Sequence, residues 1–294
     1  MANHRISLLK DGFIICIICI LFVFPFYVNA QEPKKGNEFD NLVKRLIQDG
    51  LQKEKLAALF AKETVLFTTN GVNTFFSYSE SAQYYHKFLE KKVIGNAKKY
   101  ALEHKAALDA AEKAYGVDKP VITAILLVET RLGTYLGKHN TLNILSTIAS
   151  LDNAALREKI WNAIPKKERP NSQAFIKKVK KRSKWGYEEL KALLKYSEQE
   201  KIEPDTLKGS FSGAIGICQF RPSIALRLAR DGNNDGKIDL FTHEDAIFSI
   251  ANYLKHHGWN PGLSRQKQYD VIYTYNHSNY YADTIQKISD KLKG

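Results

Sequence analysis

Asp118-Lys-Pro-Val-Ile-Thr-Ala-Ile-Leu-Leu-Val-Glu-Thr-Arg-Leu-Gly133 is the most apolar run of the chain outside its N-terminus. Asp118 stands where a helix N-cap is expected, and Pro120 suits a first turn, where its missing N–H costs nothing. Val121, Ile122, Ile125, Leu126 and Val128 then fill more than one face, so the stretch predicts a helix inside the protein. Gly133 is a natural stop. One carboxylate, Glu129, sits near the end. A carboxylate there is costly unless it is paired, protonated or put to use. Arg131 is near in sequence, but a spacing of two places it on another helix face. If Glu129 is buried, its pKa rises and it stays a protonated acid near neutral pH, suited to protonating a leaving oxygen. An ordinary ion pair or helix-end contact is the competing reading.

The first thirty of 294 residues read as a secretory signal: Arg5 and Lys10, an apolar run from Phe13 to Phe24, and small residues at Val28-Asn29-Ala30. Pro25 and Asn29 break the run before it reaches spanning length, which favours cleavage over an uncleaved anchor. Cys16 and Cys19 lack the small-residue context of a lipoprotein site. Export to the periplasm or cell envelope is therefore expected. Removing residues 1–30 leaves 264 residues and lowers the formal charge from +13 to +12. That length can bury a large core. Only Cys218 survives, which excludes an intrachain disulfide. Strong positive charge points to an anionic partner, either cell-wall polymer or a membrane surface, unless it serves solubility alone. Nothing resembles a compact nucleic-acid motif, so nucleic acid is not an expected partner.

Apolar residues recur at helical spacing through Phe39, Leu42, Val43, Leu46, Leu51, Leu56, Leu59 and Phe60, broken at Gly50. Residues 31–83 thus form an N-terminal helical lobe, with 64–79 read as a loop or short extended segment. Residues 97–115 give the cleanest amphipathic pattern and predict one helix ending at Gly116. A further buried helix runs from Leu142 to Ala149. Residues 153–185 carry eleven Lys or Arg against two Glu, and read as a solvated surface excursion. Tyr187 to Glu200 returns to helix. The fold class is mainly α.

Gly209-Ser-Phe-Ser-Gly-Ala-Ile-Gly216 demands a tight backbone, and no Gly-Lys-Ser/Thr follows to make it a phosphate loop. Asp231-Gly-Asn-Asn-Asp-Gly-Lys-Ile-Asp239 has the spacing of an EF-hand loop across 231–242. Asp231, Asn233, Asp235, the Lys237 carbonyl and Asp239 are its candidate calcium ligands. Position twelve is Thr242 instead of a carboxylate, and Glu244 and Asp245 lie slightly too far along, so any calcium binding is weak. A turn held by its own Asx side chains is the alternative. Thr242-His-Glu-Asp245 predicts a cap for the following helix.

Val128-Glu129-Thr130-Arg131-x-Gly133, Gly137-Lys138, the glycine-rich loop with Gln219-Phe220-x-Pro222-Ser223, Ala251-Asn-Tyr-Leu-Lys-x-His-Gly-Trp259 and Tyr275-Asn276 occur in one order. Together they resemble the lytic murein transglycosylase B family, from about Tyr84 to the C-terminus. The resemblance implies a lysozyme-like helical domain with a glycan-binding cleft and a smaller helical lobe. It implies cleavage of peptidoglycan without water, with Glu129 as the lone acid/base and a 1,6-anhydromuramyl product. Substrate assistance by the 2-acetamido group would remove the need for a second carboxylate. No cofactor is required, and a monomer acting on glycan strands near the wall or membrane is expected. Sugar-contacting roles follow for Ser210, Gln219, Tyr253, Tyr275, Asn276 and Tyr281, with Tyr84 as a further wall; each could also fill a core or capping role. The family's arginine pair is missing at Ala154-Ala155. If 153–185 is an insertion of helix-turn-helix length, the pair re-aligns to Lys181-Arg182, and Arg182 and Trp185 line the cleft. A hydrolytic muramidase would need a second acid, for which Asp152 or Asp245 is the guess. A non-catalytic glycan binder is the third reading, and it has no use for Glu129.

Overall fold

The Asp118–Gly133 stretch folds as expected into a helix, Lys119–Thr130, in which every residue from Val121 to Val128 is buried. In the computed structural model, residues 38–78 and 81–293 are described. The secretory signal expected over 1–30 lies outside them.

The helices in chain order are α1 (Asp40–Gln48), α2 (Lys53–Phe60), α3 (Val72–Ser77), α4 (Ala82–His86), α5 (Lys91–Glu103), α6 (Lys105–Tyr115) and α7 (Lys119–Thr130). There follow α8 (Thr141–Ala149), α9 (Ala154–Ala163), α10 (Ser172–Gln199), α11 (Pro222–Leu228), α12 (His243–His256), α13 (Arg265–Tyr275) and α14 (Asn279–Lys293). Two short antiparallel strands, β1 (His139–Asn140) and β2 (Lys208–Gly209), pair His139 with Gly209 and Asn140 with Lys208.

Helix α7 is the axis of the main core, and α5, α6, α12 and α14 pack around it. Its all-round apolar surface is what permits four neighbours at once. Asp118 takes the N-cap position but makes no side-chain cap bond. The Glu112 carboxylate of α6 caps instead, accepting from the Lys119 N–H at 3.0 Å. A second core joins α1 and α2 to α8 and α10 through Phe39, Leu42, Leu46, Leu56, Leu145 and Leu190.

Three local expectations need correction. The 97–115 pattern is two helices, broken at His104, whose ring lies tilted 4.3 Å from both Tyr100 and His243. The 64–79 segment contains the helix α3, because Val72 and Phe76 one turn apart are both buried. The basic stretch is no solvated excursion: α9 and the first half of the 28-residue α10 form a hairpin. Leu156, Ile160, Ile164, Phe175 and Val179 pack a third core against Val72, Ile144 and Ile148. The lysines occupy its outer face, so charge content alone gave the wrong reading.

Candidate active site

Glu129 is the penultimate residue of α7, partly buried where its neighbours on both sides are buried. The chain then turns sharply. Arg131, Leu132 and Gly133 all have left-handed φ, of 51°, 62° and 83°, so the stop precedes the glycine by two ordinary residues. Side chains other than glycine avoid this region unless the surroundings hold them there. Thr130 does part of that work. Its hydroxyl donates to the Ile217 carbonyl at 2.8 Å and accepts from the Gly133 N–H at 3.0 Å.

Ile217 belongs to the glycine-rich loop, so the helix end and the loop are one construction. Gly137 and Gly209 meet at the β1–β2 pair, and a Cβ on Gly137 would lie 2.1 Å from the Gly209 carbonyl oxygen. Only glycine permits that approach. The loop closes through reciprocal bonds between Ile215 and Phe220, at 2.8 and 3.1 Å. Its far side is tied by Glu189 of α10, which accepts from the Ser223 N–H and hydroxyl at 2.9 and 2.8 Å.

The tail supplies a wall of aromatic rings. The Tyr281 hydroxyl donates to Glu129 Oε1 at 2.7 Å, and its ring lies parallel to Tyr275 at 6.3 Å. Burial first, then the nearby Glu129 charge, pushes the Tyr281 phenol well above its ordinary pKa, so it remains a donor. Tyr275 is raised for the same leading cause and donates to the Cys218 carbonyl at 2.5 Å. Tyr253 packs edge-on to Tyr275 at 4.8 Å and donates to the Thr274 carbonyl at 2.7 Å. Tyr253 and Tyr281 are therefore buried wall residues whose hydroxyls are already engaged. Tyr84 is exposed, edge-on to Tyr85, which in turn lies 6.4 Å from Tyr281.

The remaining predicted residues divide. Ser210 Oγ accepts from the Ser212 and Ala214 N–H groups, so it holds the glycine loop. Gln219, itself left-handed at φ 50°, donates its amide to the Leu136 and Gly216 carbonyls. That arrangement leaves its side-chain carbonyl as an acceptor. Asn276 ends α13, partly buried, with no side-chain hydrogen bond among the described residues. Arg182 lies over Phe75 and Trp185, at 5.0 and 5.5 Å, and Phe75 stacks on Trp185 at 5.6 Å. Among the described residues no hydrogen bond or ring contact joins that stack to Tyr253, Tyr275 or Tyr281.

The 231–242 loop is shaped by its own side chains. Asp231 accepts from the Asp235 and Gly236 N–H groups, Asn233 from Asp235, and Asp235 from Lys237. Asp239 accepts from the Phe241 N–H at 2.9 Å. Thr242 forms no side-chain cap, since its hydroxyl donates back to the Asp239 carbonyl. Asp245 turns under the loop instead, accepting from Gly232 and Asp239 N–H at 2.8 and 2.6 Å. The donor chemistry is all oxygen, which fits a hard cation. Among the described residues no three His, Cys, Asp or Glu groups converge ready to hold an ion, and Glu200 of the α10 C-cap also holds the loop, accepting from the Ile238 N–H at 2.8 Å.

Thr130, Phe220, Glu189 and His243 were not singled out by sequence reasoning, and Asp245 was read as a cap or a second acid rather than as the carboxylate under the loop. Thr130 and Phe220 stand inside quoted motifs, but which side chain would bond or pack where is a tertiary fact. His243 sits against Gly133, and its Nδ1 lies 2.9 Å from the Tyr100 hydroxyl.

Comparisons with known proteins agree with this fold. A 180-residue segment, 61% of this chain, is 33% identical to the membrane-bound lytic murein transglycosylase B of Escherichia coli K12. The match spans less than half, 42%, of that relative's length. The fold is shared with the E. coli lytic transglycosylase SLT35 in complex with calcium (TM-score 0.71, 22% identity, 88% of this chain and 93% of that one). It is shared also with SltB3 of Pseudomonas aeruginosa in complex with NAG-anhNAM-pentapeptide (TM-score 0.71, 19% identity, 88% and 80%). The transglycosylase SLT domain family matches residues 34–268, a span that holds the Glu129 helix end and the glycine loop bolted to it, and the chain belongs to that family.

Proposed function

We propose that this protein is a peptidoglycan lytic transglycosylase that cleaves the bond between N-acetylmuramic acid and N-acetylglucosamine. The observation that carries the reading is Glu129, partly exposed at the end of an otherwise buried helix and held at Oε1 by the Tyr281 hydroxyl. In the first step the Glu129 carboxyl donates its proton to the glycosidic oxygen as the C1–O bond breaks. The substrate's acetamido oxygen bonds to C1 and shares the positive charge. In the second step the muramyl 6-hydroxyl oxygen attacks C1, the acetamido group leaves, and the hydroxyl proton returns to Glu129. The carboxyl is restored and no water is consumed. Tyr281 fixes the carboxyl, and a buried, neutral phenol orients it without adding charge.

Both carboxylates guessed for a muramidase have other work. Asp152 is exposed and paired with Arg45 at 2.7 Å, and Asp245 is bound to two loop amides. Gln219 and Asn276 are the groups with side chains left to meet sugar, Tyr84 stands at the exposed outer wall with Lys87 over its ring at 3.8 Å, and Ser210, Tyr253 and Tyr281 act behind them. Arg182 and Trp185 extend the cleft toward α3. The protein works as an exported, monomeric enzyme of the cell envelope. Mass spectrometry of digested cell wall tests the reading. Anhydromuramyl ends support it; reducing ends would make the enzyme a muramidase, and no products would make it a binder.

The 231–242 loop takes calcium weakly through Asp231, Asn233, Asp235, the Lys237 carbonyl and Asp239. At a calcium concentration ten times the dissociation constant, the native state gains about 1.4 kcal/mol. Thermal melts with and without calcium check this. Asp231→Asn should abolish the rise, and equal melting of the unsubstituted protein in calcium and chelator would refute the site.

A further inference from the structure

The hairpin of α9 and α10 builds a core with one face and a charged surface with the other. From Ser172 to Tyr187, α10 carries six Lys or Arg and no acid. Lys177, Lys180, Lys181 and Lys184 are all exposed. Their spacing of three, four and seven sets them in one stripe, about 10 Å long, on the side away from the buried Val179 and Ser183. Among the described residues the ion pairs made by α10 involve Glu188, Glu189, Lys191 and Glu198, all further along the helix.

Like charges three or four apart on a helix repel. Elsewhere the chain sets acids at that spacing: Lys99 meets Glu103 and Lys105 meets Asp109, each four apart. The stripe leaves Lys177 against Lys180 and Lys181, and Lys184 against the same two, with no acid between them. The fold gains nothing from this repulsion, because α10 packs through its other face. An anionic partner relieves it.

What borders the stripe says which partner. On its flank, Lys178 donates to the Phe76 carbonyl at 2.8 Å, and the Arg182 guanidinium lies over Phe75 and Trp185. Trp185 follows Lys181 by four residues, so stack and stripe are neighbours on the helix surface. The stack is where the cleft is taken to extend, and a strand passing over it meets the lysines next. A bilayer fits less well. Among the described residues Ile176 is the one large apolar side chain exposed on α10, where a helix lying in a membrane interface needs a whole apolar face.

We propose that the Lys177–Lys184 stripe is a second docking surface for the wall polymer, holding carboxylates of the peptides that branch from a glycan strand while that strand lies in the Glu129 cleft. This rests on the transglycosylase reading of the cleft. Ammonium groups on long flexible stems suit carboxylates whose positions vary from one peptide to the next.

The test measures cosedimentation with purified cell-wall sacculi, in a Glu129→Gln background so that the wall is not consumed. The stripe variant carries Lys177→Gln, Lys180→Gln, Lys181→Gln and Lys184→Gln. A control removes the same charge elsewhere, with Lys92→Gln, Lys98→Gln, Lys255→Gln and Lys287→Gln. At low salt the stripe variant should bind sacculi about tenfold more weakly than the parent, and the control within about twofold of it. High salt should erase the difference. Glycan strands stripped of peptide should bind parent and stripe variant alike. With Glu129 restored, the stripe variant should cleave short peptide-free glycan at the unsubstituted rate. Absence of that cleavage in the unsubstituted protein would count against the reading of the cleft, while the binding comparison is read without it. Undiminished binding by the stripe variant, an equal loss in the control, the same loss on peptide-free strands, or tighter binding to phosphatidylglycerol vesicles than to sacculi would each overturn the proposal.

Discussion

Two carboxylates flank the glycine-rich loop, and they are treated oppositely. Glu189, on the α10 side, is 3% exposed and holds the loop's exit by accepting the Ser223 N–H and hydroxyl, with Arg221 at 3.7 Å. Glu129, on the α7 side, keeps part of its surface open and is held by a phenol that stays neutral. The first arrangement stabilises a fixed negative charge with an N–H, an O–H and a guanidinium. The second orients a carboxyl while leaving it accessible to a substrate. A carboxylate in apolar surroundings is therefore not by itself a catalytic signature; what separates the two is access.

Substitution by Gln separates them most sharply. Glu129→Gln removes the proposed proton carrier, and anhydro-product formation should fall at least about 1,000-fold, within the range general acid catalysis supplies. Its melting temperature should change little. Residual anhydro product at one tenth of the original rate would break the assignment. Glu189→Gln should do the reverse. Replacing the charged acceptor by an amide that cannot satisfy all these donors costs about 2 kcal/mol, or roughly 4–8 °C of melting temperature. Activity, measured well below that melting point, should stay within about threefold.

Tyr281→Phe makes a smaller, more informative change. The ring still packs on Tyr275 and Tyr85, and only the bond to Glu129 is lost. One hydrogen bond to the proposed catalytic carboxyl is worth about 1.4 kcal/mol, so kcat and kcat/KM should fall together by about tenfold. A rise in KM with kcat unchanged would show that Tyr281 serves substrate binding instead, the role the resemblance implied.

The carboxylate pair also shows what was legible in the sequence. The buried α7 helix follows from its all-round apolar residues, and Glu129 stands out because nothing else on that helix is charged beyond its first turn. The glycines at 209 and 216 announce close backbone approach, and it is there. Glu189 was invisible, since Glu on a long helix with Lys neighbours looks like a solvated face. Its burial depends on α11 arriving from thirty residues away. The basic hairpin failed for a related reason. Its lysines dominate composition, while Phe175 and Val179, four apart, carry the packing. The cap of α12 failed because Asp245 found better donors in a loop that precedes it.

The smallest effect concerns the joint behind Glu129. His243 packs where a Gly133 side chain would stand, with its Nδ1 2.9 Å from the Tyr100 hydroxyl and its ring 4.3 Å from His104. Burial, then the charge of His104, lowers its pKa below the ordinary value, with Glu244 opposing. The unfolded chain therefore binds more protons than the folded one as pH drops below about 6.5, so stability rises with pH in that window. The contribution is fully present above about pH 6.5 and is lost as pH falls through the lowered folded pKa. Because the ring is only partly buried, solvent screening keeps the loss small, under about 1 kcal/mol, or at most roughly 3 °C between pH 7.5 and 5.5. His243→Gln should flatten that slope while Glu189→Gln leaves it intact. A variant with an unchanged slope would place the titrating group elsewhere and would uncouple the α12 start from the helix end that carries the acid.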